Sequence, residues 1–63
     1  MTDQEIIEIM SETRKEIDRR RELSSLYFYD DIWDREVREM YIHYPDIAAL
    51  PAGKFKELWD KAA

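Results

Sequence analysis

The sequence predicts a small all-α domain of three helices, a helical hairpin followed by a shorter C-terminal helix. The first reason is the scarcity of glycine and proline. Neither residue precedes Pro45, and the single glycine is Gly53. Strand-rich folds need several tight turns, which these two residue types usually supply. The second reason is periodicity. Apolar residues recur at intervals of three and four, which is the spacing of one helical face.

The short length limits how such a fold can be stabilised. The chain has 63 residues, enough for a single domain spanning 1–63, and a domain of this size buries only about 60% of the surface of its unfolded form. With no cysteine and one histidine, disulfides and zinc sites built from thiolates or several histidines are excluded. We therefore expect stabilisation from tight helix packing and from a partner, with the fold completed by dimerisation.

The first helix is predicted at about residues 3–23. Thr2 and Glu5 have the spacing of a capping box at its start. Ile6, Met10 and Ile17 then share one face of the helix. After this apolar start the helix is nearly all charged, and opposite charges three or four residues apart can form ion pairs.

The second helix is predicted at about residues 31–43. Its apolar stripe begins with Trp33, and Pro45 ends it because the residue before a proline is pushed out of helical geometry. Residues 23–31 are interpreted as a hairpin connection. One continuous helix through to Tyr44 is the alternative, since nothing in the sequence forbids it.

The third helix is predicted at about residues 51–61. Pro51 suits the first position of a helix, and an apolar stripe at helical spacing starts with Phe55. Residues 45–50 can form one short turn between the second and third helices.

Aromatic residues are concentrated between Leu26 and Trp33, and one core face can accept about half of them. Exposed aromatic patches are typical of interaction surfaces. The sequence therefore predicts an interface formed by Ile6, Met10, Ile17, Leu26, Phe28, Tyr29 and Trp33. The alternative is a three-helix core that absorbs all of the aromatic residues. If Trp33 belongs to the core, Phe28 and Tyr29 become the exposed pair.

No residue pattern predicts catalysis. His43 follows Glu39 by one turn, but a histidine near a helix C-terminus already complements the helix dipole. Acidic residues cluster from Asp30 onward, yet they lack the glycine that an EF-hand loop requires. We therefore predict a protein that is not an enzyme and has no catalytic residue, cofactor, metal or small-molecule substrate.

Four basic residues, Arg14, Arg19, Arg20 and Arg21, are candidates for contacting nucleic acid. Acidic residues are interleaved with them, and the net charge of −5 repels phosphate. Nucleic-acid binding is therefore the less favoured alternative. Another alternative is an acidic mimic of nucleic acid that uses Asp30, Asp31, Asp34, Glu36 and Glu39.

The leading hypothesis is a small interaction or regulatory protein, an adaptor or inhibitor of a larger protein, that also forms a homodimer. Being short, acidic and free of cysteine and motifs, the chain resembles many small accessory proteins of bacteria and their phages, which bind a larger host protein. No apolar run approaches the roughly 20 residues of a membrane span, and the acidic N-terminus is unlike a signal peptide. We expect no membrane association and a cytoplasmic location.

The missing ligand sets predict that divalent metal ions do not stabilise the fold. Adding zinc, calcium or magnesium ions, or chelating them, should leave the melting temperature unchanged, because only an ion that binds the folded state raises it. Thermal unfolding followed by circular dichroism measures this. A rise of many degrees with any one of these ions would contradict the prediction.

Overall fold

The structure, a computed structural model, describes residues 1–23 and 29–63, with the backbone alone described at Tyr29 and Asp30. All regular secondary structure in these ranges is helical, which confirms the predicted all-α class. The helices are α1 (Asp3–Leu23), α2 (Tyr29–His43), the one-turn α3 (Pro45–Ala48) and α4 (Ala52–Lys61).

Helix α1 has the predicted bounds, and its N-terminus is capped by Thr2 as predicted. The backbone N–H of Glu5 donates a hydrogen bond to Oγ1 of Thr2 at 3.2 Å. The same hydroxyl donates to Oε1 of Glu5, also at 3.2 Å. The bond from the Glu5 N–H satisfies a backbone donor that has no partner within the helix. The Glu5 carboxylate accepts from the hydroxyl of Thr2, in place of the Thr2 backbone N–H that a full capping box uses.

Helix α2 begins at Tyr29, two residues before the predicted start. The reason is that Asp30 and Asp31 are as favourable in the first turn of a helix, near the positive end of its dipole, as at the capping position. The sequence therefore does not distinguish the two placements.

The alternative of one continuous helix is wrong. Nε of Arg20 lies 2.9 Å from Oε1 of Glu36, whereas sixteen residues of one α-helix would separate them by about 24 Å. The chain therefore folds back on itself between the two helices. The conformation of the predicted connection falls largely on residues 24–28, which lie outside the described residues.

The predicted turn after α2 is the short helix α3, with Pro45 in its first turn. The sequence predicts Pro51 as the first residue of the third helix. In the structure Pro51 is instead the N-terminal cap of α4, which begins at Ala52. Its backbone is extended, with ψ at 146°. The carbonyl of Pro51 accepts a hydrogen bond from the N–H of Phe55 at 2.9 Å, which starts the helix one residue later.

One hydrophobic core is shared by all four helices. Helix α1 packs against α2 and α4, and α2 packs against α3. The buried residues of this core are Ile6, Met10, Val37, Met40, Ile47, Leu58 and Ala62. A layer of half-buried side chains surrounds it, including Ile7, Ile9, Trp33, Tyr41, Leu50, Phe55 and Trp59.

Ring contacts give the direction of α4 relative to α2. The centroids of Tyr41 and Phe55 lie 6.1 Å apart, and those of Trp33 and Trp59 lie 6.0 Å apart. Because the residue number falls along α2 as it rises along α4, the two helices are antiparallel. Trp33 thus packs against α4 of its own chain, as one of the sequence-based alternatives expects.

Ile47 and Ile42 provide a matched test of the core. Ile47 is 1% exposed and Ile42 is 68% exposed. Ile47→Val should cost about 0.5–1.5 kcal/mol of unfolding free energy because it removes a buried methylene. Ile42→Val should change it by less than about 0.5 kcal/mol.

Urea denaturation monitored by circular dichroism measures both variants. Ile47→Ala should cost about 2–5 kcal/mol, a large part of the stability of so small a domain. Equal midpoints for the two valine variants would contradict this core.

Candidate functional site

Helix α4 covers one side of α1. Nζ of Lys54 lies 2.9 Å from Oδ2 of Asp3. Further along, the guanidinium of Arg14 lies 5.0 Å from the ring centroid of Trp59, and its Nη1 donates to the carbonyl of Trp59 at 3.4 Å. Asp3 and Arg14 are eleven residues apart, about three turns, so they share one side of α1. From the first contact to the second, the residue number rises in α1 and also in α4, so the two helices are parallel.

The opposite side of α1 carries a row of exposed charges that we call the open strip. Residues two apart on an α-helix point about 200° apart, so Glu5 and Glu12 lie opposite Asp3 and Arg14. The strip continues at spacings of three and four residues, which keep it on one side of the helix. Its members are Glu5, Glu8, Glu12, Lys15 and Arg19, all exposed.

A groove of about 410 Å³ lies along the N-terminal half of the open strip, and we call it the acidic groove. Half-buried Ile9 and exposed Tyr44 give it an apolar part. The hydroxyl of Thr13 donates to the carbonyl of Ile9 at 3.0 Å and is therefore already used within α1. The lining residues are Glu5, Glu8, Ile9, Glu12, Thr13 and Tyr44.

A second groove of about 570 Å³ lies between the C-terminal part of α1 and the start of α2. Its charges are mixed, with three arginines and two carboxylates around two aliphatic side chains. One of these, Leu23, is 73% exposed. The lining residues of this arginine-lined groove are Arg19, Arg20, Leu23, Asp31, Ile32, Arg35 and Glu36.

Ion pairs at this groove tie α1 to α2. Nε of Arg20 lies 2.9 Å from Oε1 of Glu16 on its own helix and 2.9 Å from Oε1 of Glu36 on α2. Nη2 of Arg19 lies 2.6 Å from the same oxygen of Glu16. The hydrogen bond from Arg19 is the main reason that the pKa of Glu16 lies below its usual range, and the bond from Arg20 lowers it further. Glu16 in turn raises the pKa of Arg19.

The basic residues predicted as nucleic-acid contacts are engaged within the chain. Arg14 stacks on Trp59, and Arg19 and Arg20 pair with carboxylates. Arg21 is exposed and also has an interaction within the chain. Of the four, Arg19 lies on the open strip, whereas Arg14 lies on the side that α4 covers.

The residues predicted as an interface divide into three groups. Ile6, Met10 and Ile17 are at most 4% exposed within a single chain, so they offer no surface for a second one. Trp33 is half-buried against Trp59. The remaining three, Leu26, Phe28 and Tyr29, have side chains outside the described residues.

The acidic residues proposed as a nucleic-acid mimic do not form a continuous acidic surface in the described part of the chain. Asp31 and Asp34 are exposed, but the side chain of Glu36 is only 11% exposed and is paired with Arg20. Glu39 lies 3.7 Å from Nε2 of His43. The side chain of Asp30 lies outside the described residues. Arg35 and Arg38 stand among these acids, so the surface has mixed charge.

Sequence reasoning missed two parts of the surface. Ile42 and Leu23 are the most exposed large apolar residues in the described part of the chain. Each lies on a helix face that is otherwise charged, and this pattern in the sequence could have indicated that both side chains are exposed. The open strip was missed for another reason, because its five charges form a unit only when the position of α4 is known.

Comparison with known proteins finds no family model, curated protein or solved structure that matches this chain. Within the described ranges, no helix is both long and apolar enough to cross a membrane. The same residues contain no group of three or more metal-binding side chains placed to hold an ion.

The ion pair between α1 and α4 gives a testable pH dependence. The hydrogen bond from Lys54 lowers the pKa of Asp3, and Asp3 raises the pKa of Lys54. Because the pKa of Asp3 is lower in the folded state, its stabilising effect is present above the unfolded-state pKa and is lost as the pH falls through the folded-state pKa. The effect of Lys54 is present below its unfolded-state pKa and is lost as the pH rises through its folded-state pKa.

Lys54→Gln should therefore raise the pKa of Asp3 toward its ordinary value, as measured by an NMR titration of the Asp3 carboxyl carbon. Lys56→Gln is the control, because Nζ of Lys56 pairs with Asp60 on its own helix, at 3.2 Å. An unchanged Asp3 pKa in the Lys54 variant would show that the pair does not form in solution.

Proposed function

We propose that this protein is a non-enzymatic regulator that docks onto another protein, as an adaptor or inhibitor, through the open strip and the acidic groove beside it. The acidic groove is the observation that supports the proposal most. It combines apolar surface from Ile9 and Tyr44 with three exposed carboxylates. Protein interfaces typically have an apolar centre inside a polar rim, and tyrosine is enriched among their anchoring residues.

The weak engagement of the groove's carboxylates within the chain supports the same proposal. Glu8 has no hydrogen-bond or ion-pair partner among the described residues. Among the same residues Glu12 pairs with Lys15 alone, at 3.4 Å, and both side chains are highly exposed. Exposed pairs of this kind contribute little to stability. These carboxylates can therefore bind lysine or arginine of a partner with little loss to the fold.

Nucleic-acid binding has less support as the function. Arg14 and Arg20 hold α4 and α2 against α1, so turning them toward phosphate would break contacts between helices. An acidic mimic of nucleic acid has less support as well, because the acids of α2 alternate with Arg35 and Arg38. The cytoplasmic location remains a prediction.

Site-specific photo-crosslinking in the native cell tests the proposed function. A photoreactive amino acid in place of Tyr44 should give an adduct with a protein other than a second copy of this chain. The same amino acid in place of Lys56, whose side chain is 79% exposed on α4, is the control and should give none.

The adduct at position 44 should be lost when Glu8→Lys and Glu12→Lys are added, since these changes reverse the charge of the groove. Its absence, or equal adducts at positions 44 and 56, would count against docking through the acidic groove.

A further inference from the structure

The open strip is divided by charge along its length. Its first three members, Glu5, Glu8 and Glu12, are acidic, and its last two, Lys15 and Arg19, are basic. The division falls near the middle of α1, which spans 21 residues. One half of the strip is therefore electrostatically complementary to the other half.

We propose that the open strip pairs with the open strip of a second copy of this chain, with the two α1 helices antiparallel. The proposal rests on the proposed function for its docking surface, and the second copy occupies that surface when the other protein is not bound. In a two-fold symmetric contact, each residue pair occurs twice. A two-fold axis passing between Thr13 and Arg14 brings Glu12 opposite Lys15 of the second copy, and Glu8 opposite Arg19. It also brings Glu5 opposite the exposed Glu22, and this pair of like charges weakens the contact.

The spacing of the strip fits this arrangement. Its members follow one another at intervals of three, four, three and four residues, the repeat that keeps a seam facing a partner helix. A parallel pairing would instead place Glu8 against Glu8 and Lys15 against Lys15. Like charges opposed in this way repel, so the charge pattern selects the antiparallel orientation.

The same register places an apolar side chain beside the acidic groove. Leu23 lies opposite position 4 of the other copy, next to Glu5, which lines the groove. Leu23 is 73% exposed, more than any other large apolar residue in the described part of the chain. Arg19 of the incoming helix lies one turn before Leu23, beside the carboxylates of the groove.

The strength of the contact is limited by its chemistry. A typical stable interface takes about 800 Å² from each partner, roughly a sixth of the 4753 Å² that this chain exposes. A contact along one side of α1 is smaller than this, because the whole molecule is only 36 Å long and 19 Å wide. In addition, exposed ion pairs are individually weak and are screened by salt. We therefore expect a weak dimer that dissociates as salt is added.

Two charge-reversal variants test the pairing by sedimentation equilibrium over a range of concentrations. Lys15→Glu with Arg19→Glu makes the strip acidic throughout, and Glu8→Lys with Glu12→Lys leaves Glu5 as its one acidic member. Each variant alone should self-associate roughly tenfold or more weakly than the unmodified chain. An equal mixture of the two should associate more tightly than either variant alone and about as tightly as the unmodified chain, because the same four opposed pairs again differ in sign.

The control is Lys56→Glu with Lys61→Glu, which changes the net charge by the same amount as Lys15→Glu with Arg19→Glu but on α4. It should self-associate more tightly than that strip variant. Circular dichroism melting of each variant verifies that it is folded. Equal weakening by the two pairs of changes, or a mixture that stays monomeric, would overturn the proposal.

Orientation has its own test. Glu12→Lys and Lys15→Glu in the same chain reverse both members of the antiparallel pair, so association should recover relative to either single change. Failure to recover would overturn the antiparallel register. An unmodified chain that stays monomeric at hundreds of micromolar and low salt would overturn the second copy as occupant. Crosslinks from position 44 to a different protein would then still support the proposed function.

Discussion

The contact of α4 with both helices of the hairpin is the constraint on which the rest of the structure depends. Two antiparallel helices can bury only the faces that they turn toward each other, which is too little for a chain of this length. Helix α4 supplies a third side, with Leu58 fully buried in the core. Trp59, the next residue, contacts the rings of Phe55 and Trp33 and lies under the guanidinium of Arg14. Because α4 is one short helix, it covers one side of α1 and leaves the opposite side uncovered.

Arginine side chains stabilise the edges of this arrangement. The carbonyl of Trp59 belongs to the last turn of α4 and accepts a hydrogen bond from the N–H of the capping residue Ala62 at 3.2 Å. Arg14 donates a second hydrogen bond to it while stacking on the ring. Arg20 acts similarly on the other side by joining Glu16 and Glu36. Planar guanidinium groups suit both tasks, since they stack on rings and bind two carboxylates at once. The basic part of α1 therefore contributes to the packing of the helices around it.

The sequence predicts the features of this fold that depend on local chemistry. The capping box at Thr2 and the stop at Pro45 determine helix ends within a few residues, and the periodicity of α1 correctly assigns Ile6 and Met10 to one buried face. Periodicity does not say what covers that face. A helix of the same chain and a helix of a second chain require the same apolar spacing, so burial of Ile6 and Met10 within one chain could be learned only from the structure.

The open strip shows the same limit for the candidate site. The spacing of Glu5, Glu12 and Arg19 is visible in the sequence, but so is that of several other charged rows on α1. What distinguishes the strip is the position of α4, which depends on the contact between Arg14 and Trp59, 45 residues apart. A non-local contact of this kind has no signature in a local pattern of residues.

Because the ion pairs of the strip are weak, the strip is compatible both with a single chain and with the proposed pair of chains. Glu12 pairs with Lys15 within the strip, and Arg19 of the strip pairs with Glu16 beside it. Such pairs between neighbours on one helix are worth only a few tenths of a kcal/mol. Exchanging them for pairs across two chains therefore costs little, and the gain is similarly small for each pair. The balance between a single chain and a pair then depends on how many contacts form together, on salt and on concentration. The division of the strip by charge favours the antiparallel orientation, because a parallel pairing in register places like charges opposite each other.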